Sequence, residues 1–179
     1  DWFIPSAEAA IPSPPGGPIL VITSATAAYS QYYTEILRNE GFNAFAVADI
    51  SAVSSGMLAA YDVAILAPAP LTAGQVTTLT NWVNAGGDLI AMRPTSELAS
   101  LLGLSPAGST LSEGYLSVNT SQAPGAGIVG QTMQFHGTAD RYTLNGPTSL
   151  ATLYSNSTTA TTYPALTLRS VGANGGQAA

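Results

Sequence analysis

The sequence predicts an α/β protein: a mainly parallel sheet covered by helices on both faces, followed by a β-rich C-terminal half. Three observations carry that expectation. Two near-continuous apolar runs, residues 63–67 (VAILA) and 89–92 (LIAM), are each followed by a helical pattern, which is the βα repeat of a sheet buried on both sides. Between them, Thr72-Ala-Gly-Gln75 has the spacing of a capping box and Gly86-Gly87 that of a helix stop. Beyond residue 103 the helical periodicity gives way to short alternating runs in a Ser/Thr/Gly-rich background.

Each element follows from local chemistry. Residues 1–17 read as a linker or surface arm, because Pro5, Pro12, Pro14 and Pro15 with Gly16-Gly17 block helix and sheet. Trp2, Phe3 and Ile4 are expected to pack against the domain or a neighbour. Residues 18–179 then form one domain. Residues 18–24 (PILVITS) make the first core strand. Tyr29, Tyr32, Tyr33, Ile36 and Leu37 mark one face of a helix that Gly41 stops. Residues 43–48 are a second strand and 50–60 a short helix opened by Ser51. The third strand, 63–67, leads into the capped helix, whose stripe is Val76, Leu79 and Val83 with Trp82 on its border. A fourth strand, 88–92, precedes a last short helix capped by Thr95 or Ser96 and ending at Gly103. Strands at 115–118, 132–135, 150–154 and 165–169, partly antiparallel, extend or cap the sheet. Residues 166–171 and 177–179 flank a Gly-rich turn, a hairpin whose return strand is short, so the chain is expected to be a piece of something longer, truncated at its C-terminal end.

Composition narrows the function. Of 179 residues only 8% are charged, Lys and Cys are both absent, and the net charge is −6. A chain of this length buries roughly 70% of the surface its unfolded form exposes. The remaining surface must be rich in hydroxyls. Four scattered Arg (Arg38, Arg93, Arg141, Arg169) give no cluster to displace counterions, which argues against nucleic acid. Without Cys there are no disulfides, thiolate nucleophiles or Cys-ligated metals. No apolar run approaches the ~18 residues of a membrane span.

The phrase YDVAILAP (residues 61–68), followed by a helix running into WVNAGGDLIAM (82–92), resembles the class I glutamine amidotransferase-like fold, closest to its secreted or ThuA-like branch. The resemblance covers residues 18–104, and residues 135–142 and 164–179 look like the second half of extracellular members. It implies a flavodoxin-like three-layer sandwich. It also implies a nucleophilic Cys on a strained turn after the strand at 88–92, with a downstream His and acid. Here that turn reads Met92-Arg93-Pro94-Thr95. Thiol-dependent glutaminase chemistry is therefore excluded, and fold alone does not assign another activity.

In an open α/β sheet, ligands sit at the carboxyl ends of strands near the point where strand order reverses. For a flavodoxin-like order that lies between the first and third strands. Ser24, Thr26, Arg93, Thr95 and Ser96 are therefore the candidate ligand-binding residues, suited to a carboxylate or a sugar hydroxyl, with helix N-termini and the fixed Arg93 cation nearby. The competing reading makes the hydroxyls caps and pairs Arg93 with Glu97 or another acid. His136, the sole histidine, lies four residues before Asp140. The pair could orient a Ser24 or Ser96 hydroxyl for hydrolysis, although no G-x-S-x-G elbow exists, and a structural cluster with Arg141 is the alternative. Residues 125–130 match G-x-G-x-x-G without the flanking strand and helix, so they read as a loop. Asn119 and Asn156 open glycosylation-type sequons.

The expected function is a non-catalytic binding or assembly domain of a larger extracellular or cell-surface protein, carbohydrate-associated. Its partners would be neighbouring domains or subunits, with no cofactor and no metal. The alternative is a hydrolase of glycosidic, ester or amide bonds using His136, Asp140 and a hydroxyl. That alternative requires His136 within about 3 Å of both a hydroxyl and a carboxylate.

Overall fold

The computed structural model describes residues 17–121 and 123–179; the expected packing of Trp2, Phe3 and Ile4 lies outside them. A nine-stranded sheet has the order β2-β1-β3-β4-β11-β10-β9-β6-β7, and a separate two-stranded ribbon pairs β5 with β8. The strands are β1 Ile19–Thr23, β2 Phe45–Asp49, β3 Val63–Leu66, β4 Asp88–Ala91, β5 Leu104–Ser112, β6 Tyr115–Val118, β7 Met133–Gln134, β8 Thr138–Leu144, β9 Thr148–Tyr154, β10 Ala160–Val171 and β11 Gly176–Ala178. The helices are α1 Tyr32–Asn39, α2 Ser55–Leu58 and α3 Ala73–Asn84.

The sheet is parallel for half its width. The β1–β2, β1–β3, β3–β4 and β4–β11 junctions are parallel. Those of β10 with β11 and β9, and of β6 with β9 and β7, are antiparallel. A mainly parallel sheet was expected because only its first four strands carry continuous apolar runs. The parallel half holds most of the core: Leu20, Ile22, Leu58, Leu79, Val83, Leu89 and Leu98 are at most 1% exposed and pack in one cluster.

α3 forms as its residues dictate. The Thr72 hydroxyl accepts from the Gln75 N–H at 3.3 Å, and the Gln75 carboxamide accepts from the Thr72 N–H at 2.8 Å, completing the capping box. Gly87 is required behind the helix, since a Cβ there would lie 2.2 Å from the Trp82 ring.

Other elements depart from expectation. The aromatic stripe of α1 faces solvent, with Tyr29 70%, Tyr32 52% and Ile36 53% exposed, while Ser30 and Thr34 are buried. Those two hydroxyls donate to backbone carbonyls, Ser30 to Ser24 at 2.9 Å and Thr34 to Gln31 at 2.6 Å. Small, satisfied hydroxyls can be buried without an unpaired polar group. The helix expected over 50–60 is a 3-10 turn at Ile50–Ala52, capped by Asp49, followed by α2, capped by Ser54. Residues 95–103 form turns rather than a capped helix, held by i→i+3 bonds such as Leu98 N–H to Thr95 C=O. The G-x-G-x-x-G stretch forms turns, as its context implied. Both sequon asparagines serve as local acceptors: Asn119 for the N–H and hydroxyl of Ser121, Asn156 for those of Thr158.

Candidate functional site

β4 ends in a backbone elbow. Arg93 has φ +46°, a left-handed conformation that costs a non-glycine residue about 1–2 kcal/mol. Side chains from β8 hold the elbow across 47 residues of sequence. Arg93 Nε donates to Asp140 Oδ2 at 2.7 Å and Nη2 to Oδ1 at 3.2 Å, a two-pronged pair with side chains 51% and 35% exposed. The hydrogen bond to Asp140 pushes the Arg93 guanidinium further above its ordinary range, against a small opposing desolvation. Tyr142 Oη donates to the Pro94 carbonyl at 2.7 Å, and burial, with the Asp140 charge, raises its phenol. Arg93 thus has an acid partner, but not the nearby Glu97.

Next to this elbow lies an open cleft of about 660 Å³, walled by Pro68 and Pro70 after β3, by Arg93, Thr95 and Ser96 after β4, and by residues 108–110 and 140–142 of the β5–β8 ribbon. Of the five candidate ligand-binding residues it brings together Arg93, Thr95 and Ser96. Ser24 and Thr26 do not line it. Their hydroxyls bond to each other at 2.9 Å, and the Ala25 N–H donates to Asp49 Oδ2 at 2.7 Å. Asp49, which sequence reasoning passed over, closes the β1 loop in this way. Its carboxyl is held below the ordinary range first by the Ser51 hydroxyl, then by the Ser51 and Ala25 N–H groups.

Two buried side-chain polar atoms among the described residues lack a hydrogen-bond partner, Thr95 Oγ1 and Arg141 Nε, and both residues line this cleft. The Glu97 carboxyl is lowered first by its own backbone N–H and then by the Thr95 hydroxyl, but the Thr95 contact falls short of hydrogen-bond geometry. Arg141 lies with its guanidinium carbon 5.2 Å from the Tyr163 ring centroid. A second, more apolar cleft of about 450 Å³ shares Arg93, Pro94, Asp140 and Tyr142 as its wall and is otherwise lined by side chains such as Ile90, Leu116, Phe135 and Leu166.

The histidine lies elsewhere. His136 Nδ1 is 2.7 Å from Glu113 Oε2, in a pair 82% and 57% exposed. Glu113 also accepts from the Gly137 N–H, the main cause of its lowered carboxyl, with His136 second. His136 and Asp140 thus bond to different partners, and no hydroxyl among the described residues hydrogen-bonds to His136. Nor does His136 join Arg141 in a cluster. Neither Glu113–His136 nor Arg93–Asp140 follows a local spacing; each needs the ribbon to be folded.

No protein-family model matches the chain, and no curated protein does. Solved structures do share its fold. It is similar to a cold-adapted β-galactosidase from Rahnella sp. R3 (TM-score 0.67, 17% identity), covering 93% of this chain and 28% of that one. The β-galactosidase of Bacillus circulans gives TM-score 0.68 at 13% identity, with 94% and 28% covered. A ThuA-like protein from Bacteroides uniformis gives 0.61 at 11%, with 82% and 74% covered. The chain therefore shares with these proteins a mixed α/β fold with a large sheet and a strand-rich second half, and it spans little more than a quarter of the length of the two galactosidases. Among the described residues no helix is long and apolar enough to cross a membrane.

Proposed function

We propose that this chain is a non-catalytic binding or assembly domain of a larger, carbohydrate-associated protein acting outside the cell or at its surface. Its frame is read as a class I glutamine amidotransferase-like, flavodoxin-like sandwich in which Arg93 stands at the elbow of the missing nucleophile. The observation that carries this reading is the dispersal of the reactive groups. Ser24 is bonded to Thr26, Asp140 to Arg93, and His136 to Glu113 at an exposed turn. A glycosidase of the common kind needs two carboxyl groups facing one bond, about 5–10 Å apart. Among the described residues Asp140 is the one acidic residue lining either cleft, and it is held by Arg93.

Two further facts support the domain reading. The galactosidase likeness is confined to a domain-sized part of those chains. The outward stripe Tyr29, Tyr32 and Ile36, with Phe42 also exposed, is an apolar patch of the sort that marks protein interfaces. Incubation of the purified chain with chromogenic β-galactoside, α-fucoside, β-mannoside and acetate ester substrates tests it. The expected result is no hydrolysis above buffer. Turnover that His136→Gln abolishes would replace this reading with the hydrolase.

A further inference from the structure

We propose that the exposed apolar stripe of α1 is the docking surface for this chain's own N-terminal arm, with Trp2, Phe3 and Ile4 packed on Tyr32, Ile36 and Phe42. The inference deepens the assembly reading above, on which it rests, by naming what the stripe binds. The stripe comes first. Tyr29, Tyr32, Ile36 and Phe42 are each more than half exposed. The Tyr29 and Tyr32 ring centroids stand 5.4 Å apart, and Ile36 follows Tyr32 by one helical turn. Gly41, at φ +84°, turns the chain so that the Phe42 N–H donates to the Leu37 carbonyl at 2.8 Å. That bond sets Phe42 beside the last turn of the helix. A contiguous row of large apolar side chains marks a surface that another segment covers.

The arm is the segment that fits it. Residues 1–16 carry Trp2, Phe3 and Ile4 in one run, joined to the domain by a stretch that holds Pro5, Pro12, Pro14 and Pro15. Gly17 lies so close to the Ala44 carbonyl that a Cβ would have no room, so the arm leaves the domain beside residues 42–44. The stretch from Ile4 to Gly17 can span about 40 Å at the ~3.1 Å per residue of an extended, proline-rich chain. The stripe is no more than about 20 Å long at ~1.5 Å per helical residue, so the arm reaches all of it without being stretched. Prolines lack the N–H that a strand needs, which disfavours pairing along β2 at the edge of the sheet and leaves side-chain packing on the helix. The rival apolar surface, the cleft lined by Ile90 and Leu166, lies on the far side of β1 and β3 from this exit. Tethering supplies the rest. A linked segment meets its site at an effective concentration of roughly millimolar, so a contact too weak to hold a separate peptide keeps the arm docked.

The test uses the whole chain labelled with 5-fluorotryptophan. The sequence holds two tryptophans, so fluorine NMR gives two signals, which Trp2→Phe assigns. Trp82, buried in α3, reports on folding. The Trp2 signal should lie away from the position of free fluorotryptophan. Its solvent isotope shift should be about half the free value or less, as for an arm docked most of the time at millimolar effective concentration. Tyr32→Ser combined with Ile36→Ser, at positions already exposed, should return Trp2 to the free value and leave Trp82 unmoved. Phe42→Ser, a separate variant at the other end of the stripe, should act in the same direction. Dilution by about a hundredfold should change nothing, because the contact lies within one chain. A wild-type Trp2 signal at the free position, or protection that survives both stripe variants, would overturn the proposal. So would protection lost on dilution, which would mean an arm exchanged between two copies. Any of these results without hydrolysis of the chromogenic substrates would remove this inference alone. Hydrolysis that requires His136 would remove the assembly reading whatever Trp2 shows.

Discussion

The two halves of the sheet bury their side chains by different rules. In β1 the run Leu20–Ile22 is enclosed, each residue at most 1% exposed. In β6 every residue is half-buried, and β9 buries Leu150, Ala151 and Leu153 while its other four residues stay partly or fully exposed. Parallel strands joined through crossovers are covered on both faces, whereas antiparallel neighbours can leave one face to solvent. The core therefore lies largely in the first hundred residues, and the second half contributes surface, ribbon and cleft wall.

If that contrast holds, truncations should be unequal. Leu79→Ala in α3, at a site with no exposure, should cost about 3–4 kcal/mol, against about 1 kcal/mol for Leu116→Ala on half-buried β6. Urea unfolding of the two variants would measure the difference; equal losses would break the contrast. Glycines sharpen it. At Gly176 in β11 a Cβ would lie 1.9 Å from the Val83 carbonyl oxygen, whereas at Gly56 in α2 it would meet nothing within 4 Å. Gly176→Ala should cost about 2–3 kcal/mol by overpacking, and Gly56→Ala, in the first turn of the four-residue α2, should gain about 0.4–1 kcal/mol by restricting the unfolded chain.

Smaller effects belong to polar contacts. Thr72→Ala removes the capping box of α3 and should lower stability by about 1 kcal/mol, read from the same urea curves. Acid-sensitive carboxylates occur in both halves, Asp49 and Glu97 in the first and Glu113 in the second. Asp49 at the end of β2 and Glu113 after β5 both have folded pKa values below their ordinary 3.8 and 4.5. Their contribution is therefore complete above the ordinary value and is lost as pH falls through the folded one. Thermal midpoints measured from pH 6 downward should decline below about pH 4.5. Asp49→Asn and Glu113→Gln should each flatten that decline slightly.

The same contrast explains what could be read from the sequence. Continuous apolar runs and a two-sided cap are local signals, so β1, β3, β4 and α3 were visible. β5 was hidden by Pro106 and Gly108, residues that ordinarily argue against a strand. It tolerates them because it pairs only with β8, through an irregularity between Pro106 and Thr110. The α1 stripe had the right period but faced outward, because periodicity marks a face without naming what covers it. At the site, Arg93 was visible from its turn. Asp140 was visible as an acid but assigned to the wrong partner, since proximity in sequence favoured His136 and only the ribbon brings it to Arg93.

The seam between these halves is β11, three residues long. It runs parallel to β4, with Gln177 opposite Asp88, and antiparallel to β10. Ala179 adds backbone bonds in both directions with β4, to Leu89 and from Ala91. Before that strip is inserted, β4 and β10 are two facing edges with unmet amides, each a template for another molecule's strand. Insertion must wait for partners nearly ninety positions apart to meet, a slow kind of event. Deleting residues 176–179 should therefore first be seen as loss of solubility during refolding, through strand pairing between molecules.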